Sequence, residues 1–492
     1  MKIDTSISSV SFIYPFLYDG AMFEQYANQV DVARWSGIDK CFQVWNTAWF
    51  PEDDLLPHVA NYLNPSKGSL TAARAWELDD IVLQSPNAGL GSGSVSWFLE
   101  AMGKDIPFSF KAIQLVLFRV GVGLLTLRAA PEKRNDDVCT WLDFLHFFRY
   151  FRGRAGTTLR AERRVGFDQE KKEVIVEPYF PQPVKVIKDR DDGHGQLDDI
   201  IHALLHTIED INKAWWDDVF IKTTLLPYAV LFVDETAEEE RPLLRYRARK
   251  FFYSTQEMRP TPMELLGEHR RVLEYSDDQW FTFSLDGSSY IAFDAPHTPF
   301  FRQTLPNHLH REYYLLYLLT LHQRFTLSML SEMVANRWLT RVEVGETDLV
   351  AMEASFSAIR DKLLLFTASG NFTQVTLRDN PHRCYRRWQE TFQLDKLYQE
   401  VHDEIGYMHD AILHKRDEEN KRMQEVQRCQ SEKLEKRLNH ITWLLGAIAV
   451  GLAMIEALNH IRFEYLIIIM VGIMVIGLLI IWVMDKLPEI RE

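Results

Sequence analysis

The sequence YLIIIMVGIMVIGLLIIWVM, Tyr465 to Met484, is twenty residues without a charge. At about 1.5 Å rise per residue, a helix of that length crosses a hydrocarbon core of about 30 Å. A buried core helix is the competing reading, but an uncharged run this long is rare in a water-soluble domain, so a membrane span is predicted. A second apolar stretch, Ile441 to Leu458, precedes it. It is shorter and carries Glu456 near its end, and it spans if Thr442 and Asn459 sit at the two interfaces. Only Asn459 to Glu464 lie between the two stretches. So short a connector predicts an antiparallel hairpin.

The two stretches differ in texture. Ala447/Gly451, Ala449/Ala453 and Ala453/Ala457 are small-xxx-small pairs, which let helix backbones approach closely. Tyr465 to Met484 is almost all large aliphatics, with only Gly472 and Gly477 small. The first segment is therefore expected to pack against copies of itself around an axis, and the second to face lipid. Lys433, Lys436 and Arg437 precede the first segment and Lys486 and Arg491 follow the second, while the connector holds only Arg462 as a firm positive charge. Positive-inside orientation then places the upstream body and the C-terminal residues in the cytoplasm of a multi-pass protein of the plasma or inner membrane. The first twenty residues lack a basic n-region followed by an apolar run.

Upstream of the first span the chain reads as one very long helix. Leu397, Val401, Ile405, Met408 and Ile412 form an apolar stripe, which Met423, Val426, Leu434, Leu438 and Ile441 continue more sparsely. Lys415 to Arg437 is dense in alternating charge, which keeps such a helix solvated and straight. From Leu394 to Asn459 it would run roughly 100 Å. A lone helix of that length would not persist, so packing on its own domain and on sister chains is expected. A coiled coil with a membrane anchor is the plainer alternative.

This layout resembles the CorA-type magnesium channel family: a cytoplasmic α/β domain, a long helix running into the first span, a short outer loop, a second span and a short charged tail. The family's hallmark is Gly-Met-Asn at the end of the first span. Here that place reads Ala457-Leu458-Asn459, with Glu456 before it, His460 after it and Glu464 closing the loop. The resemblance covers roughly the last 110 residues and is loose upstream. It implies a pentameric homo-oligomer that passes Mg2+ or another divalent cation, with Mg2+ as cargo or regulator. On this expectation Asn459 rings the pore mouth and holds a hydrated cation through its amide oxygen, because magnesium sheds water reluctantly. Glu464 attracts cations to that mouth, and Glu456 is an intramembrane carboxylate beside it. Projecting back by threes and fours gives Leu452, Ile448, Leu445 and Ile441 as an apolar gate that closes by dewetting. The family's acidic regulatory sites match no particular residues here.

The 492 residues carry a net charge of −14, which argues against nucleic acid as a main partner and suits cations. The four cysteines are scattered, without a CxxC pair, as expected of reduced thiols. Strands are predicted over Val10 to Tyr18, Cys41 to Phe50, Ala112 to Phe118, Gly121 to Leu127, Glu173 to Glu177, Val184 to Ile187 and Tyr228 to Val233. A hairpin is predicted around Asp286-Gly287. Helices are predicted at Val95 to Met102, behind the glycine-rich stretch, at Trp141 to Phe151, from Leu197, at Glu312 to Trp338 and at Thr347 to Ala368. The expected organisation is an α/β domain with a mostly antiparallel sheet over 1–300, a helical layer over 301–393, the stalk over 394–440, the hairpin over 441–484 and a tail over 485–492.

No nucleophile elbow, phosphate-binding loop, zinc spacing or dinucleotide fingerprint stands out, and no enzyme activity is expected. Gly89 to Ser94 is glycine-rich but lacks the lysine and spacing of a P-loop. The i,i+4 pair His202 and His206 lacks the glutamate of a metalloprotease signature. Arg152, Arg154, Arg160 and Arg164 leave two readings: an anionic-ligand patch, or cations paired with the chain's many carboxylates. The first would suit a ligand-gated membrane effector, for which CorA-like proteins of type III CRISPR systems, gated by a nucleotide messenger, are a family-level precedent. A non-conducting tethered scaffold is the remaining alternative.

Overall fold

The computed structural model describes residues 1–36, 41–52, 54–64, 72–84, 90, 95–153, 156–168, 173–178, 193–206, 224–262, 271–335, 349–457 and 463–486. Its contacts divide the chain into two compact units, Met1–His409 and Asp410–Glu492. The first unit groups the expected helical layer with the α/β region before it.

The first unit is built on a long, mostly antiparallel sheet. Its main path uses β1 (Ser9–Leu17), β2 (Val95–Ala101), β3 (Lys104–Phe118), β4 (Val122–Pro131), β5 (Thr158–Asp168), β6 (Glu173–Pro178), β7 (Leu226–Asp234), β8 (Val272–Ser276), β9 (Gln279–Ser284) and β10 (Gly287–Phe293), in the order β6-β5-β2-β3-β4-β1-β7-β10-β9-β8. Shorter strands add to it off that path, Ala73–Leu78 beside β3 and Trp45–Ala48 beside Ala73–Leu78. The sequence's single strand over Cys41 to Phe50 is split: Cys41–Gln43 pairs with Arg34–Ser36 in a separate two-stranded sheet. Val95 to Met102, expected to be helical, is instead β2, whose side chains alternate between buried and more exposed as it pairs with β3 and β5. On the main path, β7 and β10 are the parallel neighbours. The helical crossover between them is what a parallel pair requires.

The hairpins follow local chemistry. β3 and β4 meet register to register from Phe118↔Val122 outward, and Gly121 takes φ +106° in the turn. That conformation lies outside the range of most residues with a Cβ, which explains how a connection poor in turn formers still closes. β9 and β10 pair across Asp286-Gly287 with Ser284↔Gly287 in register.

Helices cover both faces of the sheet. On one side lie α1 (Phe23–Val32), α2 (Val138–Phe147), α3 (Leu197–His206) and α4 (Arg241–Lys250), whose apolar residues join one core with the strands. Phe144 and Phe148 set their rings 5.9 and 4.6 Å from Phe12, and Phe151 lies 5.4 Å from Tyr14. The predicted helix from Trp141 to Phe151 ends earlier, at Phe147, because the carbonyls that follow accept from other segments: Asp198 N–H donates to Phe151 O and Leu225 N–H to Arg149 O. Asp198 and Asp199 stand in the first turn of α3, where the helix dipole favours them, and Asp199 accepts the Gln196 N–H at 2.7 Å.

The other face carries α5 (Tyr314–Met333) and α7 (Asp379–Phe392), with α6 (Leu349–Ser369) packed beside α5. α5 continues a helical run that starts at Phe300 and includes two π-helical segments, Phe300–Thr304 and Leu309–Tyr313. Because strand side chains alternate, Tyr228 of β7 reaches this layer, stacking 5.5 Å from Tyr317, while its neighbours Ala229 and Leu231 enter the opposite core.

Two histidines lie under this layer, His322 fully buried and His310 half-buried with its ring nitrogens turned inward. His310 Nε2 lies 3.4 Å from both Ser9 Oγ and Ile7 O, and His322 stacks 3.8 Å from Phe118 with its Nε2 3.2 Å from Tyr62 Oη. Burial pushes both imidazoles down to about 3, with the Arg128 charge adding to the effect at His310. Both rings are therefore neutral when folded, whereas the unfolded chain protonates them near 6.5. Stability is complete above that value and is lost as pH falls toward 3. The slope is up to about 1.4 kcal/mol per pH unit for each histidine. Denaturant unfolding at pH 7 and pH 5 measures it. His322→Phe keeps a flat ring against Phe118 and is expected to remove one histidine's share; an unchanged slope would count against the assignment.

Candidate membrane segment and pore-lining helix

The segment of interest is carried by α8, Leu394–Ala457, one uninterrupted helix. It starts where α7 stops. Gln393 takes the left-handed conformation, φ 54°, and its N–H caps Gln389 O and Glu390 O, so the chain turns once and re-enters a helix at Leu394. The first turns are buried along the stripe seen in the sequence, Val401, Ile405, Met408 and Ile412. Glu404 Oε1 accepts from Ser331 Oγ at 3.4 Å, and burial raises its pKa. His409 stacks 5.7 Å from Phe356 of α6.

Beyond Ile412 the helix is exposed on every side. Met423, Val426, Leu434 and Leu438 face outward in the single chain, and Arg428 pairs with Glu432 one turn on, at 3.1 Å. The proposed gate residues show the same exposure: Ile441 54 %, Leu445 62 %, Ile448 55 % and Leu452 62 %. Their spacings of four, three and four keep them on one face. Trp443, Leu444, Val450 and Met454 are exposed as well. The apolar surface thus wraps the helix instead of forming a single stripe. Glu456 is exposed in the last described turn.

Among the described residues, one helix, Leu394–Glu456, is long and apolar enough to cross a membrane, and none of its apolar stretch is buried within the protein. A second helix, α9 (Phe463–Lys486), holds a shorter apolar run at Met470–Leu479. Asn459 lies outside the described residues, as do Leu458 and the connector through Arg462. Glu464 falls in the first turn of α9.

The arginine run resolves differently from an open patch. Arg160, on β5, is ringed by carboxylates: Glu100 at 2.7 Å, Asp105 at 2.9 Å and Glu162. Glu100 in turn also accepts from Thr158 Oγ1 at 2.9 Å, and these donors hold its carboxyl below the usual range against the opposing effect of burial. Arg152 pairs with Asp198 at 3.4 Å. Arg163 Nε donates to Glu177 at 2.8 Å. Arg164 is exposed on β5, and Arg154 lies outside the described residues. Arg152 and Arg160 are thus each paired with the chain's own carboxylates. Alternation explains it: Arg160 and Glu162 are two apart on one strand and share a face.

His202 lies 3.4 Å from Asp198, and among the described residues no three His, Cys, Asp or Glu side chains converge on a metal position. Cys139, Cys384 and Cys429 carry free thiols. The glycine-rich loop Gly89 to Ser94 and the predicted strand Val184 to Ile187 fall outside the described residues, apart from Leu90.

A feature that sequence reading missed lies at the far end of the sheet. A cavity of about 340 Å³ is lined by Arg249, Lys250, Arg271, Phe283, Ser284, Leu285 and Asp286. The Asp286-Gly287 turn was legible as a hairpin, but nothing in the sequence says that the C-terminal end of α4 meets it.

Compared with protein-family models, with curated proteins and with solved structures, the chain matches none.

Proposed function

We propose that the chain is a membrane protein whose copies assemble around the apolar part of α8 and pass a divalent cation, Mg2+ foremost, along the axis. The observation that carries this reading is the C-terminal part of α8. A helix whose N-terminal turns are buried in the first unit becomes apolar all round after His440, and none of that stretch is buried among the described residues. Exposed apolar surface costs about 25 cal/mol per Å² in water, so this stretch calls for lipid, sister helices or both. The small residues Gly446, Ala447, Ala449, Gly451 and Ala453 suit close sister helices. Ile441, Leu445, Ile448 and Leu452 then form the constriction, Asn459 and Glu464 the outer mouth, and Glu456 a carboxylate beside it. α9 returns across the bilayer as the lipid-facing member of a hairpin, and both termini lie in the cytoplasm. One hairpin cannot enclose a pore, so the number of copies follows from closure; five is the number that the CorA-like layout implies.

The test is divalent-cation flux into liposomes carrying the purified protein, beside Asn459→Ala. Mg2+ entry is expected in the wild type and a loss of about tenfold in the variant, equivalent to about 1.4 kcal/mol at the rate-limiting position. Flux that the substitution leaves untouched would keep the channel and remove Asn459 from its mouth. No flux under any condition, from a correctly assembled oligomer, would leave α8 and α9 as an anchor.

A further inference from the structure

We infer that the charged, exposed part of α8 between Ile412 and His440 is itself an assembly surface, on which sister copies of this chain pack parallel, in register and with a right-handed twist. This rests on the assembly proposed above and carries it out of the membrane into the stalk. The ground for it is a repeat of eleven residues. Val401, Ile412, Met423, Leu434 and Leu445 stand eleven apart, and all are apolar. Eleven residues fill three helical turns at about 3.67 per turn, so the five share one line along the helix. Val401 and Ile412 are buried, whereas Met423, Leu434 and Leu445 are exposed. The positions three, four and seven further on complete the face. They are all charged after Ile412, include Val426 after Met423, include Leu438 and Ile441 after Leu434, and are Ile448, Ala449 and Leu452 after Leu445. The face thus becomes steadily more apolar toward the membrane. Its last members are Ile441, Leu445, Ile448 and Leu452, the constriction of the channel reading. No break in phase separates them from Met423 and Leu434, because α8 is one uninterrupted helix. Copies that meet at the constriction therefore present Met423, Val426, Leu434 and Leu438 to one another as well. A period of about 3.67 exceeds the 3.6 of a straight helix, so helices that keep this face together wind right-handed, opposite to a heptad coil.

The two flanks of the face fix the direction. One carries Lys415, Arg422, Lys433 and Arg437 against a single carboxylate, Glu418. The other carries Asp417 and Glu435, while its Arg428 is held by Glu432 of the same helix at 3.1 Å. In a parallel ring the first flank of one copy meets the second flank of the next, and Lys433 and Arg437 come level with the neighbouring copy's Glu435. Antiparallel copies would set first flank against first flank, cation against cation. The lysine and arginine stems also cover the apolar edge while their charges stay in water.

The experiment is disulfide trapping of the full chain in detergent, with Cys41→Ser, Cys139→Ser and Cys429→Ser throughout and one cysteine introduced at a time. Met423→Cys and Leu434→Cys are expected to form linked dimers about fivefold more than Glu425→Cys and Glu432→Cys, which lie on the opposite side of the helix. Leu445→Cys is expected to link and Leu444→Cys not to, because a heptad seam from Met423 would pass Gln430, Arg437 and Leu444 instead. Glu435→Lys is expected to lower the Leu434→Cys dimer about threefold, as an exposed ion pair allows, and Glu425→Lys to leave it unchanged. Melting temperatures equal to the wild type establish that the variants fold. The inference is overturned if Met423→Cys and Leu434→Cys link no better than the outward positions, if Leu444→Cys links in place of Leu445→Cys, or if Glu435→Lys leaves the dimer unchanged. Linkage at Leu445→Cys alone would keep assembly in the membrane and remove the stalk contact. Linkage at all three positions without Mg2+ flux would keep the stalk contact and remove the channel, so the two failures are separable.

Discussion

A chain ended after His440 is expected in the soluble fraction of a cell lysate, while the full chain sediments with membranes and comes off with detergent but not with alkaline carbonate. The effect is large because the apolar content is concentrated. Tyr465 to Met484 alone holds thirteen Leu, Ile and Val residues. At about 0.3–0.6 kcal/mol each on the insertion scale they favour the bilayer by roughly 4–8 kcal/mol, a partition of about a thousandfold or more. Ile441 to Leu458 adds to this, and over Ile441 to Glu456 no apolar face is buried among the described residues to compete with lipid. The first unit, Met1–His409, keeps its own core in the shortened chain. Sedimentation of the shortened chain with membranes would place the attachment elsewhere. A full chain that stays soluble without detergent would mean that sister chains alone cover the apolar helices.

Trp388→Ala is expected to cost the first unit about 3–5 kcal/mol, a large part of the 5–15 kcal/mol that typically holds a domain together. Trp388 is 1 % exposed and sits where α7 meets the sheet. Its ring centroid lies 5.4 Å from Tyr317, 5.6 Å from Phe283, 6.2 Å from Phe281 and 6.4 Å from Tyr228. Its Nε1 donates to Ser288 Oγ at 3.0 Å. Truncation therefore opens a cavity between rigid rings that cannot collapse into it, and it removes a buried donor from Ser288. Trp388→Phe restores most of the volume and is expected to recover more than half of the loss. Near-UV circular dichroism of the full chain in detergent follows the transition, since the rings packed around Trp388 give a signal that the exposed part of α8 does not. An alanine variant that melts with the wild type would show that α7 contributes little to holding the sheet.

Local periodicity explains which parts of this architecture could be read directly. β4, β7, β9 and β10 fall where apolar runs and a strong Asp-Gly turn place them, and α8 follows from its stripe at Val401, Ile405, Met408 and Ile412. The arginines were ambiguous for the opposite reason. Whether Arg160 meets a ligand or a carboxylate depends on Glu100 of β2 and Asp105 of β3, which stand some sixty residues away and are brought near only by strand pairing.

The amino-acid pattern alone therefore determined the apolar C-terminal stretches, the long helix leading into them and the antiparallel character of the sheet, because each rests on residues a few positions apart. Only the tertiary structure decided the parallel join of β7 to β10, the burial of His322, the pairing of Arg160 and the meeting of the end of α4 with the β9–β10 turn. Each of those joins side chains distant in sequence, where the energy of a contact depends on which surfaces the whole chain brings together.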